Sequence, residues 1–148
     1  MANLRYCTFR LDQFLFGITV DHVQEVLRFQ VMTRVPLASR EVKGLINLRG
    51  QIVTALDLRT RLAMPERGAD QSPMNVILRL DGGAVSLLVD SIEDVVEVDE
   101  ETLESPPNQL GGPARELVSG VHKLADGLLL VLDAPRAAGS PALAGAHG

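Results

Sequence analysis

The sequence predicts a mostly β protein built from two similar units. Apolar residues alternate along short segments that glycine-containing turns separate, which is the pattern of antiparallel hairpins. An internal repeat is the second observation, because the same order of apolar segments, glycine and aspartate recurs in both halves. Aromatic residues make up only 3% of the 148 residues and tryptophan is absent, so Val, Leu and Ile must form most of the core.

The central hairpin carries the strongest local signal. Residues 45–48 and 52–58 are apolar runs on either side of Arg49-Gly50, and glycine permits the reversal because it lacks a Cβ atom. Asn47, Arg49 and Asp57 are polar exceptions on this hairpin and therefore candidates for function. Further hairpins are predicted to pair residues 6–11 with 14–18, 74–80 with 84–89, and 118–124 with 128–132.

The remaining segments are predicted to be short helical turns, a linker and a tail. Valines at helical spacing after Asp21, a candidate N-cap, predict a helical turn within residues 20–27, and a similar spacing follows Ile92. Residues 65–73 contain two prolines and a glycine and are the predicted linker. Residues 136–148 are rich in Ala, Gly and Pro, which predicts a disordered tail.

The repeat aligns residues 20–27 with 89–96, and 42–45 with 118–121. The strands that follow end in Asp57 and Asp133, each of which is predicted to cap a turn. Units of roughly 65 residues are marginal alone, so we expect them to share a core. The predicted subdomains are residues 14–72 and 73–133, with the N-terminal strand completing the set. Small barrels are the favoured form, since closure limits exposed edges.

Composition excludes several classes of function. The net charge of −5 disfavours nucleic acid or an anionic membrane as a partner. Cys7 is the only cysteine, so no zinc pair or intrachain disulfide can form. No phosphate-binding loop or nucleophile motif is present, which indicates neither a cofactor nor catalysis. No apolar run is long enough to span a membrane, and the sequence predicts a cytoplasmic protein.

Several segments resemble the chemotaxis coupling proteins, the CheW family. The resemblance rests on Val-Lys-Gly-Leu-Ile-Asn-Leu-Arg-Gly-Gln-Ile-Val from residue 42, continued by Leu-Asp-Leu-Arg, and on Val-Gln-Glu-Val, Leu-Leu-Val-Asp and Val-Ser-Gly-Val from residues 23, 87 and 118. These pieces occur in the family's order and cover about residues 6–133, which implies a CheW-like domain over residues 1–135. The chain departs from the family after Asp133, where members often continue with an apolar helix.

The resemblance implies a fold, partners and a site. The implied fold is two small five-stranded SH3-like barrels packed together with short helical turns. The implied role is a non-enzymatic adaptor that couples the tips of methyl-accepting chemoreceptors to the regulatory domain of the histidine kinase CheA, in the cytoplasm at membrane receptor arrays. Receptor binding in the family uses the cleft between the barrels, which Glu25 and Arg49 would line as an ion pair, with Val23, Gly44 and Asn47 nearby.

Two alternatives remain open from sequence. The same adaptor could serve a chemosensory pathway for pili or biofilm rather than flagella. The second alternative is a small β-domain that hydrolyses or binds a small molecule. This alternative would require His122 to form hydrogen bonds with Ser119 and Asp126 in a polar pocket.

Overall fold

The computed structural model describes residues 2–139 and contains ten strands in two five-stranded sheets. Barrel 1 contains, in spatial order, β8 (Ser91–Asp99), β1 (Asn3–Leu11), β2 (Phe14–Thr19), β10 (Gly127–Leu132) and β9 (Val118–Leu124). Barrel 2 contains β3 (Val23–Leu27), β6 (Met74–Leu80), β7 (Gly83–Val89), β5 (Gln51–Asp57) and β4 (Val42–Leu48). The helices are short: α1 (Leu58–Arg61), α2 (Gly112–Leu117), α3 (Ala134–Ala138) and 3₁₀ turns at Val20–His22 and Glu100–Thr102.

Each sheet closes because the chain that leaves one edge strand returns to the opposite edge. In barrel 2 the chain leaves β3, and Thr33 exchanges two backbone hydrogen bonds of 2.8 and 2.9 Å with Leu45 of β4. In barrel 1 it leaves β8, and Glu104 pairs in the same way with Val121 of β9. The prediction of two small five-stranded barrels is confirmed.

The barrels share one strand order but exchange strands between the halves of the chain. Barrel 1 takes β1 and β2 from the first half of the chain and β8, β9 and β10 from the second half. Barrel 2 takes β3, β4 and β5 from the first half and β6 and β7 from the second half. Parallel pairing of β10 with β2 in barrel 1, and of β5 with β7 in barrel 2, joins strands of the two halves. The predicted subdomain boundaries, 14–72 and 73–133, are therefore wrong. Barrel 2 runs from residue 23 to 89, and barrel 1 uses residues 3–19 and 91–132. Hairpins are visible in local sequence, whereas the parallel pairing that joins them is not.

The helical turns predicted within residues 20–27 and after Ile92 are mostly strand. Only Val20–His22 is helical in the first region, and Asp21 lies inside that turn instead of capping it. β3 and β8 each carry a β-bulge against their neighbours. Cys7 and Phe9 of β1, which are two residues apart, pair with Val95 and Ile92 of β8, which are three residues apart. A bulge inserts one residue and disturbs the period of two, which imitates helical spacing.

The largest core lies between the barrels. Its members come from both sheets, among them Phe9, Phe16 and Ile18 of barrel 1 and Leu56 and Leu87 of barrel 2. Smaller clusters fill the interior of each barrel. Most of the apolar burial thus joins the two units, as their small size led us to expect.

The end of the described chain corrects the predicted tail. Asp133 accepts a 3.0 Å hydrogen bond from the amide of Arg136 and caps α3, in which Ala137 and Ala138 are buried in the shared core. Residues 136–138 are therefore helical, and 140–148 lie outside the described residues. Asp57 caps α1 in the same way through the amide of Arg59 at 3.0 Å. Both predicted aspartate caps are confirmed.

Closure of barrel 2 requires glycine at residue 44. A Cβ atom there would lie 2.8 Å from the carbonyl oxygen of Thr33 and 2.9 Å from the Cβ atom of Met32. We expect Gly44→Ala to lower the free energy of unfolding by roughly 1–3 kcal/mol, the usual cost of overpacking, measured by urea denaturation. Gly82→Ala is the matched control, because a Cβ atom there has nothing within 4 Å. Equal stability of the two variants would contradict this account of closure.

Candidate functional site

Arg49 occupies a strained position at the tip of the β4–β5 hairpin. Leu48 pairs with Gln51, which leaves Arg49 and Gly50 as a two-residue turn with φ angles of 52° and 87°. Positive φ at both central residues is the type I′ pattern, which favours asparagine and glycine. A non-glycine residue in this region costs of order 1–3 kcal/mol. The Arg49 side chain nevertheless stays 66% exposed, so packing does not explain its presence.

Glu25 on β3 is the partner of Arg49. The Arg49 Nη2 atom donates to Glu25 Oε2, and Gln24 donates to the same oxygen at 3.3 Å. The hydrogen bond from Arg49, followed by that from Gln24, holds the pKa of the Glu25 carboxyl below its ordinary value. The expected ion pair is therefore present. It links β3, one edge strand of barrel 2, to the turn that follows β4, the other edge strand.

The other three predicted residues lie on β3, which carries Glu25, and on β4, which Arg49 follows. Asn47 Oδ1 accepts a 3.0 Å hydrogen bond from the amide of Gly50, which holds the Arg49 turn. Gly44 lets the closing segment approach β4. Val23 is half-buried against the shared core, at the start of the strand that carries Glu25. Of the five predicted residues, Glu25 and Arg49 are the two that carry charged side chains.

A groove of about 1200 Å³ runs beside barrel 2, and it does not contain the predicted site residues. β4 and β5 contribute Leu45, Ile52 and Thr54 to its lining, and the end of α3 contributes Ala138. The structure therefore brings Glu25 and Arg49 together, but it does not place them along this groove.

A buried ionic network, missed in the sequence, joins the barrels. Arg59, only 6% exposed at its side chain, donates to both oxygens of Asp90 at 2.9 and 2.5 Å and to Asp12 at 2.7 Å. Arg67 donates to Asp90 at 3.0 Å and to Asp57 at 3.1 Å. Asp12 belongs to the β1–β2 turn of barrel 1, and Asp90 follows β7 of barrel 2. Arg59 ends the Leu-Asp-Leu-Arg motif, but sequence alone carries no sign that it is buried.

The network shifts the pKa values of Asp90 and Arg59. Burial disfavours ionisation of Asp90, but hydrogen bonds from Arg59, the Asp12 amide and Arg67 outweigh it and lower the pKa of this carboxyl to about 2. The hydrogen bonds that Arg59 donates to Asp90 raise the pKa of Arg59 against the opposing effect of burial. Asp90 and Arg59 thus stay charged near neutral pH.

His122 does not form the arrangement that a hydrolase would require. It is fully buried and contacts the Tyr6 hydroxyl at 3.0 Å and the Thr102 hydroxyl at 2.9 Å. Ser119 instead donates to the carbonyl of Val131 at 3.4 Å. Burial lowers the pKa of His122, so the ring is a neutral structural group. Within residues 2–139 no cluster of three or more His, Cys, Asp or Glu could hold a metal ion.

Comparisons with known proteins place this fold and these motifs. The CheW-like domain family matches residues 5–141. The chain belongs to the CheW family. The chemotaxis protein CheW of Treponema pallidum (strain Nichols) is 32% identical over 130 residues, 85% of this chain and 76% of the relative. That of Bacillus subtilis (strain 168) is 31% identical over 119 residues, 80% of this chain and 76% of the relative.

A solved structure agrees with the sequence relatives. The crystal structure of the scaffolding protein TtCheW from Thermoanaerobacter tengcongensis superposes with a TM-score of 0.79 at 27% identity, covering 89% of this chain and 90% of that one. Membership of the CheW family confirms the prediction of a non-enzymatic chemotaxis adaptor. Among residues 2–139, no helix combines the length and apolar character needed to cross a membrane.

The ionic network predicts an acid-dependent stability. Asp90 has a lowered pKa in the folded state, so its stabilising effect is complete above about pH 4 and is lost as the pH falls toward 2. We expect Asp90→Asn to cost roughly 3–5 kcal/mol near neutral pH, since it leaves buried guanidinium groups underpaired. Urea denaturation of both proteins from pH 7 to 2 measures this difference, which should shrink below about pH 4. Asp126→Asn in the exposed β9–β10 turn is the control, and an equal loss there would contradict the prediction.

Proposed function

We propose that this CheW-like adaptor joins the tips of methyl-accepting chemoreceptors to the regulatory domain of the histidine kinase CheA. In this proposal the receptor binds at the surface formed by Glu25 and Arg49, with Val23, Gly44 and Asn47 holding the backbone around them. The protein would act at the cytoplasmic face of membrane receptor arrays. Its effect on the kinase would be a coupling free energy between two binding sites, which requires that both partners bind at once.

Arg49 is the observation that carries the receptor site. Its backbone is strained, its side chain is 66% exposed, and within residues 2–139 Glu25 is its only side-chain partner. Asparagine would suit the turn better, so the turn itself does not account for an arginine. A positive group that one carboxylate fixes in place can donate its remaining N–H groups to a partner's acceptors. Strain kept at an exposed charged group therefore supports a binding role.

Arg49→Asn separates binding from folding. Asparagine tolerates positive φ, so we expect the variant to be as stable as the parent while its affinity for receptor tips falls at least about tenfold, the effect of losing one charge-assisted contact. Circular dichroism and urea denaturation measure folding, and co-sedimentation with receptor-containing membranes measures binding. Arg5→Gln on barrel 1 makes the same change in charge at another exposed position and should bind as the parent does.

Capture of the kinase tests the division of surfaces. We expect the parent, Arg49→Asn and Glu25→Ala to capture the kinase equally in a pull-down. Kinase capture that is lost in the two variants, with receptor binding kept, would place the kinase at this surface and overturn the site assignment. Failure of the parent to bind either partner would overturn the adaptor function proposed here.

A further inference from the structure

Leu37 is held outward by a turn that ordinarily requires a different residue. The amide of Ala38 donates to the carbonyl of Val35 at 3.4 Å, with Pro36 first and Leu37 second of the two central residues. Leu37 has a φ of 64°. Proline followed by positive φ marks a type II turn, where glycine or asparagine is usual. The Leu37 side chain is nonetheless fully exposed, so this residue is unfavourable both for the backbone and for hydration.

Two arginines that have no partner among residues 2–139 flank this leucine. Arg34 and Arg40 are exposed, and within residues 2–139 neither side chain makes a hydrogen bond or an ion pair. Lys43 lies beside them and pairs with Glu66 at 3.6 Å. Residues 34–43 together with Glu66 carry three basic groups and two acidic ones, a net charge of +1, although the whole chain carries a net charge of −5. Unpaired guanidinium groups beside an exposed apolar side chain favour a partner that offers carboxylates around apolar groups.

The surface next to Leu37 is a sheet face and not a free strand edge. Leu45, Thr54 and Val85 lie side by side on β4, β5 and β7, because Leu45 pairs with Thr54 and Thr54 with Val85. All three line the groove that Leu37 borders, and Ile52 beside them is 61% exposed. The backbone of Leu45 is already paired with Thr33. An added strand therefore has no backbone groups to meet here, whereas a helix can lay its side chains across the face.

We infer that residues 34–40 form a docking element for an acidic amphipathic helix. Leu37 enters the apolar stripe of that helix, and Arg34 and Arg40 pair with carboxylates that flank the stripe. The three residues are separate from Glu25 and Arg49, so the inference goes beyond the proposed receptor site and adds a second contact surface to the adaptor.

A pair of designed peptides tests this inference on the full chain. Each is an 18-residue helix with leucines at positions i, i+3, i+4 and i+7, flanked by glutamates in one peptide and by lysines in the other. Fluorescence anisotropy should show that the acidic peptide binds and that its affinity falls as salt is raised. Leu37→Gly suits positive φ, so its melting temperature should not drop, while its affinity should fall roughly tenfold or more from the loss of one buried leucine. Leu128→Ser removes an exposed leucine from barrel 1 and is the matched control.

The outcomes are distinct. The inference is supported if Leu37→Gly weakens binding of the acidic peptide by roughly tenfold or more while Leu128→Ser preserves it. A weaker salt dependence in Arg34→Ser/Arg40→Ser also supports it. Absence of binding, equal binding of the basic peptide, or full binding by Leu37→Gly overturns it. The pull-downs with receptor and kinase test a different claim from the peptide experiment. Failure of the parent to capture either partner would contradict the proposed adaptor function, but it would not contradict the docking element at residues 34–40.

Discussion

Burial of two guanidinium groups between the barrels is the constraint on which the rest of the molecule depends. Arg59 and Arg67 can stay charged away from water only if carboxylates from distant parts of the chain converge on them. Asp12 supplies one from the first turn of barrel 1, and Asp57 and Asp90 supply two from the ends of strands in barrel 2. The network therefore fixes the β1–β2 turn against barrel 2, and the shared apolar core beneath it completes the joint.

Barrel 2 is one continuous segment, residues 23–89, inserted between the strands of barrel 1, which come from residues 3–19 and 91–132. Each barrel contains strands from both halves of the chain, so neither half can complete a sheet by itself. Closure then requires the chain to return to the opposite edge, where Gly44 and Gly120 leave room for the crossing segments. The apolar core that the barrels share holds the surface of one barrel in a defined position relative to the surface of the other.

The surface residues that point to binding share a physical property. Arg49 and Leu37 both have positive φ, and both expose a large side chain in a turn where a small residue would be more stable. Strain of this kind persists only where the surrounding structure enforces it. The hairpin and the ion pair with Glu25 hold the backbone of Arg49 in this conformation. Leu37 instead follows Pro36 in a turn beside Arg34 and Arg40. Asp12 and Ala63 also have positive φ, so what Arg49 and Leu37 share is the combination of positive φ with a large, exposed side chain that the turn does not require.

The sequence by itself determined the local structure and the family. Glycine turns between alternating segments specified the hairpins, the repeat specified two similar units, and Asp57 and Asp133 were identified as caps, because each of these depends on neighbours in the chain. The motif around Arg49 also identified the charged pair. Tertiary structure alone decided which hairpins pair, since the parallel ladders join residues far apart in sequence. It also decided that bulged strands replace the expected helical turns, that Gly44 serves a close approach, and that Arg59 is buried. These features depend on packing partners that only the folded chain brings together.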